Sequence, residues 1–295
     1  MQLQTYLFVP GANQKLIQKA LSSAADVVSV DLEDAVAQKE KEKARQLLYQ
    51  ASRLARQENK QIMVRINGVD SEEWEKDLQV VLKNDVKSIM LPKVESSMDI
   101  KQVTSVIEES GVKKFTLVPL IESAKGVLNA FDIATSHSFI KRLAFGSVDY
   151  ALDIGAETTT EEDELLFARS QLINASAAAK LAGPIDSPFI DFTNENGFIT
   201  STKRAKKLGM QAKLLIHPKQ IELFESVYQP SLQELEENNC VIKRFEEALA
   251  KGIASISYKG RMVDYPVYKK AKSLQAKYPN RNRSNDEQQQ GEQEG

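Results

Sequence analysis

Thiol and imidazole chemistry is scarce in this 295-residue chain, which carries one cysteine, Cys240, and two histidines, His137 and His217. A single cysteine closes no intramolecular disulfide, and no Cys/His cluster has the spacing of zinc ligands. A reducing compartment suits such a chain. Charge of one sign is missing too: 39 basic against 41 acidic residues leave a net charge of −2, with no global positive field to draw nucleic acid. Apolar runs stay well short of the roughly 20 residues a membrane span needs. The start, "MQLQTYLFVPG", lacks a basic segment followed by a long apolar one. These absences predict a soluble, cytoplasmic protein with neither a nucleic-acid nor a membrane partner.

Glycine is thin where a dinucleotide fold needs it. The segment "FVPGANQK" after the first apolar run holds one glycine instead of Gly-x-Gly-x-x-Gly, which weighs against the dinucleotide-binding form of an open doubly wound sheet. What is present is a regular alternation. Eight short apolar or β-branched runs, "TYLFVPG", "DVVSVDLED", "QIMVRIN", "VKSIMLPK", "KFTLVPLIES", "IKRLAFGSVD", "PIDSPFIDF" and "AKLLIHP", are separated by segments of helical period. After Gln38, residues Ala44, Leu47, Leu48, Ala51, Leu54 and Ala55 share one helical face, and Leu165, Ala168, Leu172, Ala175 and Ala179 share another. Thr159 followed by Glu162 resembles a capping box that opens the second of these helices.

Parallel strands joined by right-handed helical crossovers, repeated about eight times, predict a (β/α)8 TIM barrel, with the open doubly wound sheet as the alternative. We expect the barrel over residues 1–228, a C-terminal helical extension over 229–279, and a disordered polar tail over 280–295, where the composition is Gln-rich and without apolar anchors.

Nearly every expected strand carries polar chemistry at its C-terminal end: Asp31, Glu33 and Asp34; Arg65 and Asn67; Lys93; Glu122; Asp149. Barrel enzymes build their sites on that face from several strand ends. Gathering Glu33, Asp34, Glu122 and Asp149 around Arg65 creates like-charge repulsion that a bound cation relieves. With imidazole and thiolate ligands scarce, a hard cation on oxygen ligands fits best, Mg2+ on a pair such as Glu122 and Asp149, with Mn2+ also suitable.

In order along residues 5 to 270, "YLFVPG", "VDLEDAV", "VRING", "LPKVES", "PLIESAKG", "AFGSVDYALDIG", "LIHPKQI" and "GRMVDYP" resemble the citrate lyase β-subunit-like enzymes of the HpcH/HpaI aldolase/citrate lyase family, relatives of malyl-CoA and citramalyl-CoA lyases. The resemblance implies a metal-assisted barrel that makes or breaks a carbon–carbon bond beside a thioester. It implies Glu122 and Asp149 as the protein ligands of Mg2+, and Arg65 as the group that binds the 2-oxo acid product, oriented by Asp34. Backbone N–H groups at Ser147 and Val148, where the strand opens into a loop, would add donors to the substrate. Asp264, in "GRMVDYP", is implied as the acid/base, on a C-terminal segment that completes a neighbouring subunit's site. The implied ligands are a CoA thioester and a 2-oxo acid, and the implied assembly is a homo-oligomer, a trimer or hexamer.

One motif departs from the pattern. Many relatives carry Arg-Ser before the first strand motif, whereas Gln4-Thr5 stands here, so a positive charge is absent. If that charge holds CoA or a substrate carboxylate, the substrate is altered or bound more weakly. Two other functions remain open on the sequence: a citrate lyase β subunit acting on a citryl thioester of an acyl-carrier protein, and a non-catalytic ligand-sensing barrel.

Overall fold

The structure is a computed structural model that describes residues 4–278; the tail expected to be disordered, 280–295, lies outside the described residues. All eight apolar runs are strands: β1 (Thr5–Pro10), β2 (Val27–Asp31), β3 (Gln61–Arg65), β4 (Ser88–Leu91), β5 (Thr116–Ile121), β6 (Ala144–Phe145), β7 (Ile185–Asp186) and β8 (Ala212–Leu215). They pair in sequence order, every neighbour parallel, and β8 returns to β1 to close the barrel.

Helices connect the strands: α1 (Gln14–Leu21), α2 (Lys41–Gln57), α3 (Trp74–Lys83), α4 (Ser97–Glu109), α5 (Ala124–Leu128), α6 (Ala130–Thr135), α7 (Ser147–Asp153), α8 (Leu166–Ala178), α9 (Glu195–Leu208) and α10 (Lys219–Tyr228). Each begins or packs as its sequence dictates. Asn13 caps α1 by accepting from the Leu16 N–H, and Ser96 with Asp99 forms a capping box on α4. The α2 face is buried at Ala44, Leu48, Ala51 and Ala55, while Leu47 and Leu54 lie at its margin. Before α8 the expected box is shifted. Thr159 donates its N–H and its hydroxyl to the Glu164 carboxylate and accepts from the Glu162 N–H, while Glu162, at φ 52°, turns its carboxylate to Arg169.

Inside the barrel, alternate residues of the strands meet in one apolar stack, with Tyr6, Val27, Met63, Met90, Val118 and Leu214 at its heart. The intervening residues face the helices, and two of them are charged. Asp186 on β7 accepts from Lys213 on β8 at 2.6 Å and from Arg169 Nε on α8 at 2.8 Å, all three fully buried. Burial opposes ionisation of Asp186, but Lys213 and Arg169 outweigh it and hold its carboxyl below the usual range.

The departure at Gln4-Thr5 falls at the start of β1, on the barrel face opposite the strand C-termini. There the Thr5 hydroxyl and Asp26 bind each other at 2.8 and 2.9 Å, and the Gln4 carbonyl accepts from the Lys213 N–H. That position lies at the end of the barrel away from the strand C-termini.

A second compact unit begins at Tyr228. It contains α11 (Leu232–Leu249) and α12 (Tyr265–Lys277), and also a hairpin that the sequence reading did not foresee, β9 (Ile256–Tyr258) with β10 (Arg261–Val263). The turn between those short strands is Lys259-Gly260, both at positive φ, and three-residue strands give too little alternation to read.

Removing a carboxylate from the buried triad leaves two cations without it. Asp186→Ala is expected to lower the unfolding free energy by about 3 to 5 kcal/mol, read from the urea midpoint.

Candidate active site

Parallel strands end on one face, so the residues that close β2, β3 and β5 share a rim. Asp31 is the last residue of β2 and Arg65 the last of β3, and the two are register partners. The Arg65 guanidinium donates from Nε to Asp31 Oδ1 at 2.8 Å and from Nη2 to Oδ2 at 2.5 Å, a two-point grip. Asp31 is fixed in turn by the N–H groups of Glu33 and Ala35. The third guanidinium edge meets Glu33 at 3.1 Å, and the plane lies 4.8 Å from the Phe8 ring centre. Burial works against the Arg65 charge, yet Asp31 and Glu33 overcome it and raise its pKa, so it stays cationic at any working pH.

Asp34 does not take the orienting role expected of it. Its side chain is exposed, and Asp31 and Glu33 hold Arg65 instead. The misassignment has a simple cause: which of three neighbouring carboxylates faces Arg65 depends on strand register, and register is set by pairing.

Glu33 is buried and meets Lys93 Nζ at 3.0 Å as well as Arg65, as ion pairs without a well-aligned hydrogen bond. Its burial raises its pKa against the pull of both cations. Lys93, two residues beyond β4, sits at φ 55°, a left-handed conformation that a lysine adopts only when its surroundings impose it. The result is useful locally, because the Lys93 N–H then donates to Glu122 Oε1 at 2.8 Å.

Glu122 follows β5 and is 5% exposed. Burial first, then the charges of Glu33 and Asp149, push its carboxyl up to about 8. A glycine makes this placement possible: a Cβ on Gly146 would lie 2.4 Å from Glu122 Oε2. Gly146 also caps α7, so β6 runs straight into a helix where a loop was expected, and Asp149 stands in its first turn. Ser147 and Val148 are the first two residues of that helix, whose opening N–H groups have no intrahelical acceptor.

A cavity of about 380 Å3 opens over these groups, lined by Asp70, Lys93, Glu95, Glu122, Asp149 and Asp153. A second, of about 570 Å3, is lined by Ser147, Val148, Thr159, Phe189 and Ile190 among others. A desolvated carboxylate beside two further carboxylates is the chemistry that a hard divalent cation satisfies, so the residues fit one. Among the described residues, no group of three or more His, Cys, Asp or Glu is arranged to enclose a metal. Glu122 and Asp149 are the carboxylates here that would offer oxygens to such a cation, and two carboxylates alone would leave the rest of its shell to other oxygens. Asp264 belongs to the second unit, where its carboxylate caps α12 by accepting from the Val267 N–H at 3.3 Å. His217 stacks on Phe192 at 5.3 Å and accepts from the Lys219 N–H, ordinary packing for a strand-end residue.

The family model for HpcH/HpaI aldolase/citrate lyase matches residues 4–218. The chain belongs to that family. It is 35% identical over 278 residues to the citrate lyase subunit beta of Leuconostoc mesenteroides subsp. cremoris, covering 92% of this chain and 91% of that one. It is 32% identical over 295 residues to the L-malyl-CoA/beta-methylmalyl-CoA lyase of Rhodobacter capsulatus, covering 91% and 92%. Among solved structures it resembles the Mycobacterium tuberculosis protein CitE in complex with magnesium, acetoacetate and coenzyme A, with a TM-score of 0.76, 25% identity, and coverage of 92% of this chain and 96% of that one.

Because Glu122 holds a proton below about pH 8, a cation must displace it. Divalent-cation affinity measured by calorimetry is expected to rise about tenfold per pH unit from pH 6 toward 8 and then level off, with proton release vanishing above that range.

Proposed function

We propose that this chain is a Mg2+-dependent carbon–carbon lyase that cleaves a short 3-hydroxydicarboxyl-CoA thioester, such as citramalyl-CoA or malyl-CoA, to an acyl-CoA and a 2-oxo acid. The observation that carries this reading is the juxtaposition at the rim: Glu122, too desolvated to ionise unaided, lies within the fields of a clamped Arg65 guanidinium and of a second carboxylate, Asp149. Membership in the aldolase/citrate lyase family and likeness to a malyl-CoA lyase support it.

Glu122 and Asp149 would hold the Mg2+, with Mn2+ a fitting substitute. When bound, the cation polarises the oxygen that passes from hydroxyl to carbonyl as the bond breaks. Everything else is the chain's own. Arg65 receives the carboxylate of the nascent 2-oxo acid, and Asp31 and Glu33 fix the guanidinium plane so that the fragment is held in one orientation. The hydroxyl proton passes to a base, which we assign to the Asp264 carboxylate, as the C–C bonding pair leaves with the thioester fragment as an enolate. The first-turn amides of Ser147 and Val148 offer donors to the substrate without adding charge. The enolate carbon then takes a proton, a step we assign to Asp264, supplied by the C-terminal segment of a neighbouring subunit. In this reading the enzyme is a cytoplasmic homo-oligomer, a trimer or hexamer, and among the described residues no helix is long and apolar enough to cross a membrane.

A second reading is favoured by one comparison. The 35% identity to a citrate lyase subunit beta supports a subunit of a larger complex, acting on a citryl thioester of an acyl-carrier protein.

The purified protein with Mg2+ is expected to release glyoxylate or pyruvate from malyl-CoA or citramalyl-CoA. EDTA and Glu122→Ala should abolish release, and Arg65→Lys, which loses the planar fork, should lower kcat/KM about 100- to 1,000-fold. Turnover of citryl-CoA alone, or only of a carrier-protein thioester, would favour the second reading.

A further inference from the structure

Behind the rim lies a buried side chain that the chemistry above does not use. Lys41 opens α2 with its side chain packed under the strand ends, 9% exposed. Its ammonium has three protons, and three acceptors take them: the Leu32 carbonyl at 2.8 Å, the Glu33 carbonyl at 3.1 Å and Asn67 Oδ1 at 2.8 Å. All three acceptors are neutral. Burying a cation on neutral partners is a costly way to gain stability, so the arrangement calls for another explanation, and the location of the acceptors supplies it.

Leu32 and Glu33 are the two residues after Asp31, and Asn67 is the second after Arg65. One ammonium thus ties the chain leaving β2 to the chain leaving β3, immediately beyond the two residues that grip each other at the rim. Asn67 is held rigidly on its other sides. Its N–H and its Nδ2 donate to Asp77 Oδ2 at 2.9 and 2.5 Å, and its Nδ2 also reaches the Leu32 carbonyl at 3.0 Å. Asp77, on α3, is fully buried and takes Arg45 Nε at 2.8 Å, and Arg45 stands one helical turn beyond Lys41 on α2. Two helices therefore brace two loops through one connected polar network.

We infer that Lys41 is a positioning residue: through the Leu32 and Glu33 carbonyls and Asn67 it sets the geometry of the Asp31–Arg65–Glu33 clamp, and so the affinity for the 2-oxo acid. The inference rests on the proposed function for its ligand, but its structural part does not. The brace bonds the exits of β2 and β3 directly and reaches Glu122, after β5, only through Glu33 and Lys93. Loss of Lys41 must then loosen the oxo-acid half of the site far more than the cation half.

The test compares the full-length protein with Lys41→Met, Asn67→Ser and, as a control for lost stability, Lys213→Met, which disturbs the buried triad elsewhere in the barrel. Calorimetry gives Mg2+ affinity and, with Mg2+ present, pyruvate affinity; NMR gives solvent exchange of the Arg65 Nε proton, identified by its loss in Arg65→Lys. Lys41→Met should weaken pyruvate about 10- to 100-fold, leave Mg2+ affinity within about twofold, and speed exchange of the Arg65 proton. Asn67→Ser should do the same to a smaller degree, and it decides the matter if Lys41→Met does not fold. Lys213→Met should lower the melting temperature and change none of the three. Unchanged pyruvate affinity and unchanged exchange in the Lys41 or Asn67 variant would overturn the inference, as would pyruvate and Mg2+ affinities falling together. If the wild-type protein binds no 2-oxo acid, the proposed substrate fails, and the exchange rate alone still decides whether Lys41 sets the clamp.

Discussion

Carboxylates crowded where water is scarce govern this molecule. Asp31, Glu33, Glu122 and Asp149 converge on the C-terminal rim of the barrel, and the nearest cations, Arg65 and Lys93, do not balance them: Glu122 is left protonated to about pH 8. A protein selected for stability alone would place apolar residues there. Several otherwise unconnected features follow from keeping the cluster. Gly146 has no side chain because Glu122 needs the space, Lys93 takes a left-handed backbone so that its N–H can reach Glu122, and Asp31 is tied by two backbone amides so that it can hold Arg65.

The cluster divides into two functional halves along the strand order. Arg65 and its acidic partners belong to β2 and β3, and Glu122 and Asp149 follow β5 and β6, with Lys93 after β4 connecting them through Glu33 on one side and Glu122 on the other. A barrel suits this division because each strand end is anchored separately by its own helix and loop. The polar brace of Lys41, Asn67, Asp77 and Arg45 stiffens one half, and the opening turn of α7 frames the other. The buried triad of Asp186, Lys213 and Arg169 lies on the helix-facing side of β7 and β8, apart from both.

Much of this was legible in the sequence, and what was missed shares a cause. All eight strands were readable because parallel strands buried on both faces are short continuous apolar runs, and the rim chemistry was readable because polar residues end those runs. Glu122 lies within the fields of both Arg65 and Asp149. The choice of Asp34 over Asp31 failed because both end the same run, and only the Asp31–Arg65 register separates them. The helix at Ser147 was read as a loop because its capping residue, Gly146, offers no side-chain oxygen to signal a helix start. Lys41 looked like any charged residue ahead of an amphipathic helix; its burial depends on two loops that approach it from 8 and 26 residues away. Contacts of that kind are invisible to periodicity, which reports local structure and not the partners that long-range folding brings.

The measurement that bears most directly on this account is a diffraction structure of crystals grown with Mn2+ and pyruvate, with the metal located by its anomalous signal. The account predicts a single metal peak between the Glu122 and Asp149 carboxylates and a pyruvate whose carboxylate is bonded by the Arg65 guanidinium. A metal bound away from that pair, or pyruvate out of reach of Arg65, would contradict it.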